Sequence, residues 1–180
     1  VEEAISVADA AVIVVNCKSG IEPGTRKAWE LCEQYKLPRI VFVTNMDDDD
    51  ASFRDITIKL NTEFGRSISP LQIPIREDGK FVGYVNVIKM KGRKYTSASN
   101  KVEIPIPDYV EKQLNTARAS LMEAVAETSD ELMERYFEGE EFTSDEIYDA
   151  LKENVQKCAI TPVVMGSGLN CQGMNYLLQC

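Results

Sequence analysis

The sequence predicts an α/β fold in which a parallel sheet of doubly buried strands is interrupted by an antiparallel and helical insertion. Two continuous apolar runs of strand length, "AAVIVVN" (10–16) and "PRIVFV" (38–43), alternate with stretches of helical spacing. Strands buried on both faces, with helices between them, make a parallel sheet. A third such run, "ITPVVM" (160–165), returns only near the end. From about Pro70 the pattern between them changes to strand pairs and then to long amphipathic helices. The expected organisation is therefore a core from 1–69 and 158–180, with a subdomain inserted at 70–157.

Each element follows from its spacing. Ala4, Ile5, Val7 and Ala8 recur at helical intervals, so residues 2 to 9 read as the end of a helix. "SGIEPG" breaks the chain after the first strand. Ala28, Trp29, Leu31, Cys32 and Tyr35 then define a helix from Thr25 to Tyr35. Phe53, Ile56, Ile58, Leu60 and Phe64 define another, over 51 to 64. The stretch 70–96 holds two or three strands, with a hairpin turn at Asp78–Gly79. "SASNKVEIPIPDYVEK" reads as a loop with two prolines, and Val110, Leu114, Ala117, Leu121, Ala124 and Val125 mark a helix over 108–127. "TSDE" occurs at 128–131 and 143–146, each time before helical periodicity. Both fit a capping box, in which Thr and Glu satisfy each other's backbone N–H groups. "GSGLNCQGM" follows the last strand and leads into a final helix start.

Composition narrows the function classes. A net charge of −9 over 180 residues argues against a nucleic-acid-wrapping surface, which needs clustered Lys and Arg. The chain has no histidine, so Cys–His zinc sites and His-based nucleophilic catalysis lose their usual partner. Its five cysteines (Cys17, Cys32, Cys158, Cys171, Cys180) form no C-x-x-C pair and are expected as reduced thiols of a cytoplasmic protein. No apolar run reaches the roughly 18–20 residues of a membrane span, and no membrane partner is expected. The opening "VEEAISVADAA" lacks an initiator Met and starts inside a helical pattern, as a piece of a longer protein would.

Functional groups of open α/β sheets gather beyond the carboxyl ends of the strands. Two such ends stand out: "VTNMD", which runs into four consecutive aspartates (47–50), and "GSGLN" at 166–170. Asp47 can accept two hydrogen bonds from a planar donor pair such as a purine edge. "GSG" offers backbone N–H groups with no side chain in the way. The plainer alternative makes Asp47 to Asp50 a solvated loop that caps the helix starting near Ala51. A metal site is the weakest reading, because consecutive carboxylates do not converge on one ion without a shaped loop, and no D-x-D-x-D-G occurs.

In the order and spacing of these motifs the chain resembles the G domain of bacterial elongation factor G. "SVADAAVIVVNCKSGIEPGTRKAWELCEQYKLPRIVFVTNMD" is similar to that family's stretch leading to its N-K-M-D guanine-specificity motif. "PLQIPI…FVGYVNVIKMK" and "ETSDELMERYFEGEEFTSDEIYDALK" resemble its inserted G′ subdomain, and "PVVMGSGLNCQG" resembles its G-S-A-L/F-K-N-x-G segment. The resemblance implies a P-loop NTPase-type sheet carrying an α+β insertion. Aligned without gaps, N-K-M-D falls on Thr44-Asn45-Met46-Asp47. It implies that Asp47 binds the guanine edge, with Thr44 and Asn45 in weakened versions of the Asn and Lys roles. Ser167, Gly168 and Leu169 then form the second guanine-contacting loop, Gly168 replacing the family's Ala. A shift by one residue gives an N-x-x-D match on Asn45 to Asp48, at the expense of the match to the preceding strand and to Phe53.

The same resemblance implies GTP or GDP as ligand and a cytoplasmic translational GTPase as parent, acting on the ribosome in elongation. It also implies contact with the stalk protein of the large subunit through the G′ helices, whose acidic faces include Glu111, Glu123, Glu127, Asp145, Asp149 and Glu153. Yet no G-x-x-x-x-G-K-[ST] and no D-x-x-G occurs in the sequence. The phosphate cradle and the Mg²⁺ ligands of the parent thus lie outside it, no catalytic residue is expected here, and the chain alone is expected not to hydrolyse GTP. The alternative is a stand-alone protein-interaction module that docks through those acidic helix faces.

Overall fold

The structure, a computed structural model, describes residues 2–65, 67–98 and 100–179; Cys180, one of the five expected thiols, lies outside them. Its elements are α1 (Glu2–Ile5), β1 (Ala11–Asn16), α2 (Pro23–Tyr35), β2 (Arg39–Thr44), α3 (Phe53–Phe64), β3 (Ile68–Pro70), β4 (Gln72–Glu77), β5 (Lys80–Asn86), β6 (Lys91–Tyr95) and β7 (Lys101–Ile104). There follow α4 (Asp108–Ala126), α5 (Asp130–Phe137), α6 (Ser144–Gln156), β8 (Thr161–Met165) and α7 (Met174–Leu177). They build two four-stranded sheets, ordered β1-β2-β8-β3 and β4-β5-β6-β7. The first is parallel throughout and the second antiparallel throughout. This is the expected α/β fold with an insertion.

The parallel sheet is built around β2 and β8. All five residues of β8 are buried, and Val41, Val43, Val163 and Val164 have no solvent exposure. β1 departs from the expected double burial: Ile13 and Val15 are buried, whereas Val12 and Val14 are 51% and 58% exposed. As an edge strand it has one face under α2 and the other open. α2 starts two residues earlier than expected, with Pro23 in its first turn, where the missing N–H is harmless. Its Trp29 stacks on Phe64 of α3 at 4.2 Å and lies beneath the guanidinium of buried Arg39 at 3.9 Å.

Two strands had no sequence signal. β3 adds three residues to the sheet beside β8 and ends in Pro70, which an edge strand tolerates. β7 lies within the expected loop and pairs with β6, its residues only half-buried or exposed, so no apolar alternation marked it. The Asp78–Gly79 turn forms as expected, with both residues at positive φ (50° and 79°), as a tight hairpin turn demands. α4 buries Val110, Leu114, Ala117, Leu121 and Val125, one face at helical spacing, and packs over β3, β4, α5 and α6.

The two "TSDE" segments behave differently. At 143–146 the capping box forms: Thr143 Oγ1 accepts from Glu146 N–H, and Glu146 Oε2 accepts from Thr143 N–H at 2.8 Å. At 128–131 it does not. Thr128 turns back to donate to Val125 O at 2.7 Å, and Ser129 caps α5 by accepting from Leu132 N–H. The Thr128 hydroxyl joins its own N–H on the Val125 carbonyl at the tail of α4, and the cap falls to the next residue.

Thr143→Ala should therefore destabilise the fold by roughly 1 kcal/mol, the usual worth of a cap. Thr128→Ala, which removes no cap, should cost less in the same urea titration. Glu146 also has a pH signature. Hydrogen bonds from Arg135 first, and then from Thr143, hold its carboxyl down at about 2 against an ordinary 4.5. A depressed folded-state pKa gives stability that is present above about 4.5 and lost as pH falls toward about 2. Glu146→Gln should flatten the stability profile in that window and leave its shape near neutrality unchanged.

Candidate functional site at the carboxyl ends of the parallel strands

The register of the sheet brings three loops to one rim. Asn16 of β1 lies opposite Thr44 of β2, and Val43 opposite Met165 of β8. The segments 17–22, 45–52 and 166–173 leave the sheet at that level. Asn16 shapes the first, its Oδ1 accepting from the N–H groups of Lys18 (2.8 Å) and Ser19 (3.1 Å). The other two are joined beyond the strand ends, because Gly166 N–H donates to Val43 O at 2.9 Å and Gly166 O accepts from Met46 N–H at 3.1 Å. Met46 itself is completely buried and pins its loop to the core.

Within the second loop, Asn45 sits exposed at φ 61°, a left-handed conformation that Asn tolerates better than most residues. Asp47 and Asp48 have different environments. Asp48 Oδ1 accepts from Asp50 N–H at 2.9 Å, and its Oδ2 lies 3.3 Å from Lys18 Nζ. These contacts, the Asp50 N–H first, hold its carboxyl below the usual range. The same ammonium lies 3.4 Å from Asp50 Oδ2, and the paired carboxylates in turn raise the Lys18 pKa. Asp47 Oδ1, by contrast, is buried and has no hydrogen-bond partner among the described residues. A carboxylate oxygen removed from water without a donor is costly unless something supplies one.

None of the four aspartates caps α3. Ser52 does so, accepting from Asp55 N–H at 3.3 Å. The expected cap from the acidic run is corrected by one short side chain placed directly before the helix.

The third loop is closed by reciprocal hydrogen bonds between Ser167 and Gln172, both 3.0 Å. Ser167 is fully buried and its Oγ accepts from Asn170 N–H at 3.1 Å, so its hydroxyl shapes the turn. Gly168 and Leu169 are exposed at the tip, and their backbone N–H groups have no internal partner among the described residues. A methyl on Gly168 would stand 3.8 Å from Thr44 Oγ1, so this tip lies beside the end of β2. Thr44, Asn45 and Asp47 thus share one rim with Gly168 and Leu169, with Ser167 beneath them.

Two contributors escaped the sequence reading. Lys18 neutralises part of the acidic run from the neighbouring loop. Arg76 of β4 reaches across from the other sheet to donate to Met46 O at 2.9 Å and Ala51 O at 3.0 Å. Lys18 is a surface Lys in a Gly-containing loop and Arg76 a charge in a strand, so neither had a spacing that could mark it. A separate groove lies at the opposite, amino end of the sheet, its lining including Val12, Ile40, Leu151, Val155 and Pro162. It is chiefly apolar, which suits packing better than recognition.

Half-buried Asp47, one oxygen of which has no partner among the described residues, and the exposed Gly168–Leu169 tip thus stand beyond the carboxyl ends of an open α/β sheet, the region where sheets of this class bind their ligands. The chain matches, over residues 1–180, the family described as "Elongation factor Tu GTP binding domain", and it belongs to that family. It is also similar to a crystal structure of a protein from Thermus thermophilus, with 32% identity and a TM-score of 0.89. That match covers 99% of this chain but only 26% of the other, so the chain spans about a quarter of the relative's length.

The rim supports a pair of opposite substitutions. A Cβ at Gly166 would lie 2.1 Å from Gln172 O and 2.9 Å from Phe42 Cζ. Gly166→Ala must push the third loop away from β2, and overpacking of this kind typically costs about 1–3 kcal/mol. Gly168→Ala meets only an ordinary contact at 3.8 Å. It should be neutral or stabilise by about 0.4–1 kcal/mol through the unfolded chain. Chemical denaturation of the two variants checks both signs.

Proposed function

We propose that this chain is the guanine-recognition half of the GTP-binding domain of an elongation factor G-like translational GTPase. The observation that carries the reading is the buried Asp47 Oδ1, which stands on the same rim as the backbone N–H groups of Gly168 and Leu169, all three without an internal partner among the described residues. A guanine edge supplies a ring N–H and an exocyclic amine to a carboxylate and an acceptor oxygen to backbone donors, so the residues present fit it. Asp47 reads the edge, Thr44 and Asn45 flank the base, and Ser167 holds the Gly168–Leu169 tip in place. The engagement of both Asp48 oxygens favours the register with Asp47 over the one with Asp48.

In the intact protein bound GTP, with Mg²⁺, supplies the phosphoryl chemistry, and the residues that cradle the phosphates lie outside this chain. Its own contribution is selection of the base. The open Val12–Val14 face suits a chain that packs further elements there. The protein then acts in the cytoplasm on the ribosome, in elongation and translocation. Glu111, Glu123, Glu127, Asp145, Asp149 and Glu153 are all exposed on α4, its C-cap and α6, a disposition that suits docking on a basic surface such as the large-subunit stalk protein.

The test is base exchange in the full-length protein. Asp47→Asn turns one acceptor into a donor, which repels the guanine amine and suits the 2-oxo group of xanthine. Loss of a charged hydrogen bond is worth about 1.5–3 kcal/mol. GTP affinity should therefore fall by at least about tenfold and XTP affinity should rise. Asp48→Ala should keep the preference for guanine. If Asp48→Ala abolishes it and Asp47→Asn does not, the register is the other one.

A further inference from the structure

β4 and β5 pair in register from Gln72–Asn86 to Ile75–Gly83, then slip, so that Arg76 faces Phe81 and Glu77 faces Lys80. Such a bulge redirects the side chain beside it. Here it stands next to Arg76, whose guanidinium leaves the antiparallel sheet and enters the 45–52 loop of the parallel one. Nη2 lies 2.9 Å from Met46 O, 3.0 Å from Ala51 O and 3.3 Å from Asp48 O. One η nitrogen has two hydrogens, so the three carbonyls share them. Nη1 donates to Gly79 O in the hairpin turn. The backbone of Arg76 is held as well: its N–H donates to the Tyr109 hydroxyl at 3.0 Å, and that hydroxyl donates to Arg76 O at 2.8 Å.

The carbonyls of Met46 and Asp48 belong to the residues on either side of Asp47. We propose that Arg76 is a positioning residue for base selectivity: from the inserted subdomain it clamps the backbone on both sides of the Asp47 carboxylate and holds it at the angle that reads the base. The inference rests on the guanine reading of Asp47. It adds that the accuracy of that reading depends on a side chain from the other sheet. A loop bearing four carboxylates in a row repels itself, and a cation that also donates to its carbonyls opposes that spreading. Lys18 holds the outer side of the same loop through Asp48 and Asp50, which leaves Arg76 as the inner clamp.

The experiment measures GDP and IDP affinity by calorimetry on the full-length protein and its variants. IDP lacks the 2-amino group, so the ratio of the two affinities reports the second hydrogen bond of Asp47. Arg76→Met keeps the length of the side chain and removes its donors. It should lower the GDP-to-IDP ratio by about fivefold or more, a usual size for coupling between contacting groups. Arg76→Lys should recover part of that loss, because it keeps the charge without the fork. Equal losses for GDP and IDP make Arg76 merely structural and overturn the inference. Asp47→Asn is run alongside. If it leaves the ratio unchanged, the guanine reading itself fails and the inference with it; if it collapses the ratio while Arg76→Met does not, only the inference fails. Should Arg76→Met not fold, Tyr109→Phe takes its place, since it removes the hydroxyl that holds both backbone groups of Arg76. A smaller fall in the ratio supports the proposal there, and an unchanged ratio overturns it.

Discussion

Gly166 joins the end of β2 from both sides, donating to Val43 O and accepting from Met46 N–H. These two hydrogen bonds continue the β2–β8 ladder past the point where the strands end, and everything at the rim depends on them. They fix the height of Met46, whose buried side chain then anchors the acidic loop. They also set the third loop close enough to β2 for its tip to lie beside Thr44. The backbones approach too closely for any Cβ at position 166, so glycine is imposed by space. Buried backbone groups without partners are costly, which is why the join is made by backbone rather than by side chains.

The charge of the rim is managed at close range. Four aspartates in sequence at a sheet edge would push one another apart, and the structure distributes them. Asp48 folds back on Asp50 N–H, Lys18 takes an oxygen from each of these two, and Arg76 meets the carbonyls of Met46, Asp48 and Ala51. Asp47 is the one left with a buried oxygen and no donor. A buried carboxylate oxygen left without a donor is an expensive arrangement in a folded protein.

The antiparallel sheet is stitched to the parallel one by polar side chains in buried positions. Gln72, wholly buried in β4, accepts from Met165 N–H at 3.0 Å. Asn86 donates to the Tyr176 hydroxyl of α7 at 3.2 Å, while within the insertion the half-buried Arg118 ties α4 to the end of β5 by donating to Val87 O and Ile88 O. Apolar contacts alone tolerate sliding, whereas directed hydrogen bonds in a low dielectric define one relative placement. The inserted part is thereby held in register with the strand whose loop carries Gly168.

Sequence periodicity by itself determined the parallel strands β1, β2 and β8, the long face of α4, the Asp78–Gly79 turn and the Thr143–Glu146 cap. Each is a local pattern: an unbroken apolar run, a helical stripe, two residues able to take positive φ, or a box four residues long. That the loops after β2 and β8 lie past the strand ends was legible too, because strand ends are local in the chain. The tertiary structure decided what depends on partners far away in sequence. β3 and β7 exist because β8 and β6 offer free edges, and neither carries enough apolar alternation to announce itself. Thr128 abandoned its expected cap for a carbonyl of the preceding helix. The four aspartates, identical in sequence, became different only when Lys18, Arg76 and Gly166 were brought to them. Contacts between residues some 30 positions apart, or more than 100 in the case of Gly166, leave no period in the chain; they appear only when the fold closes.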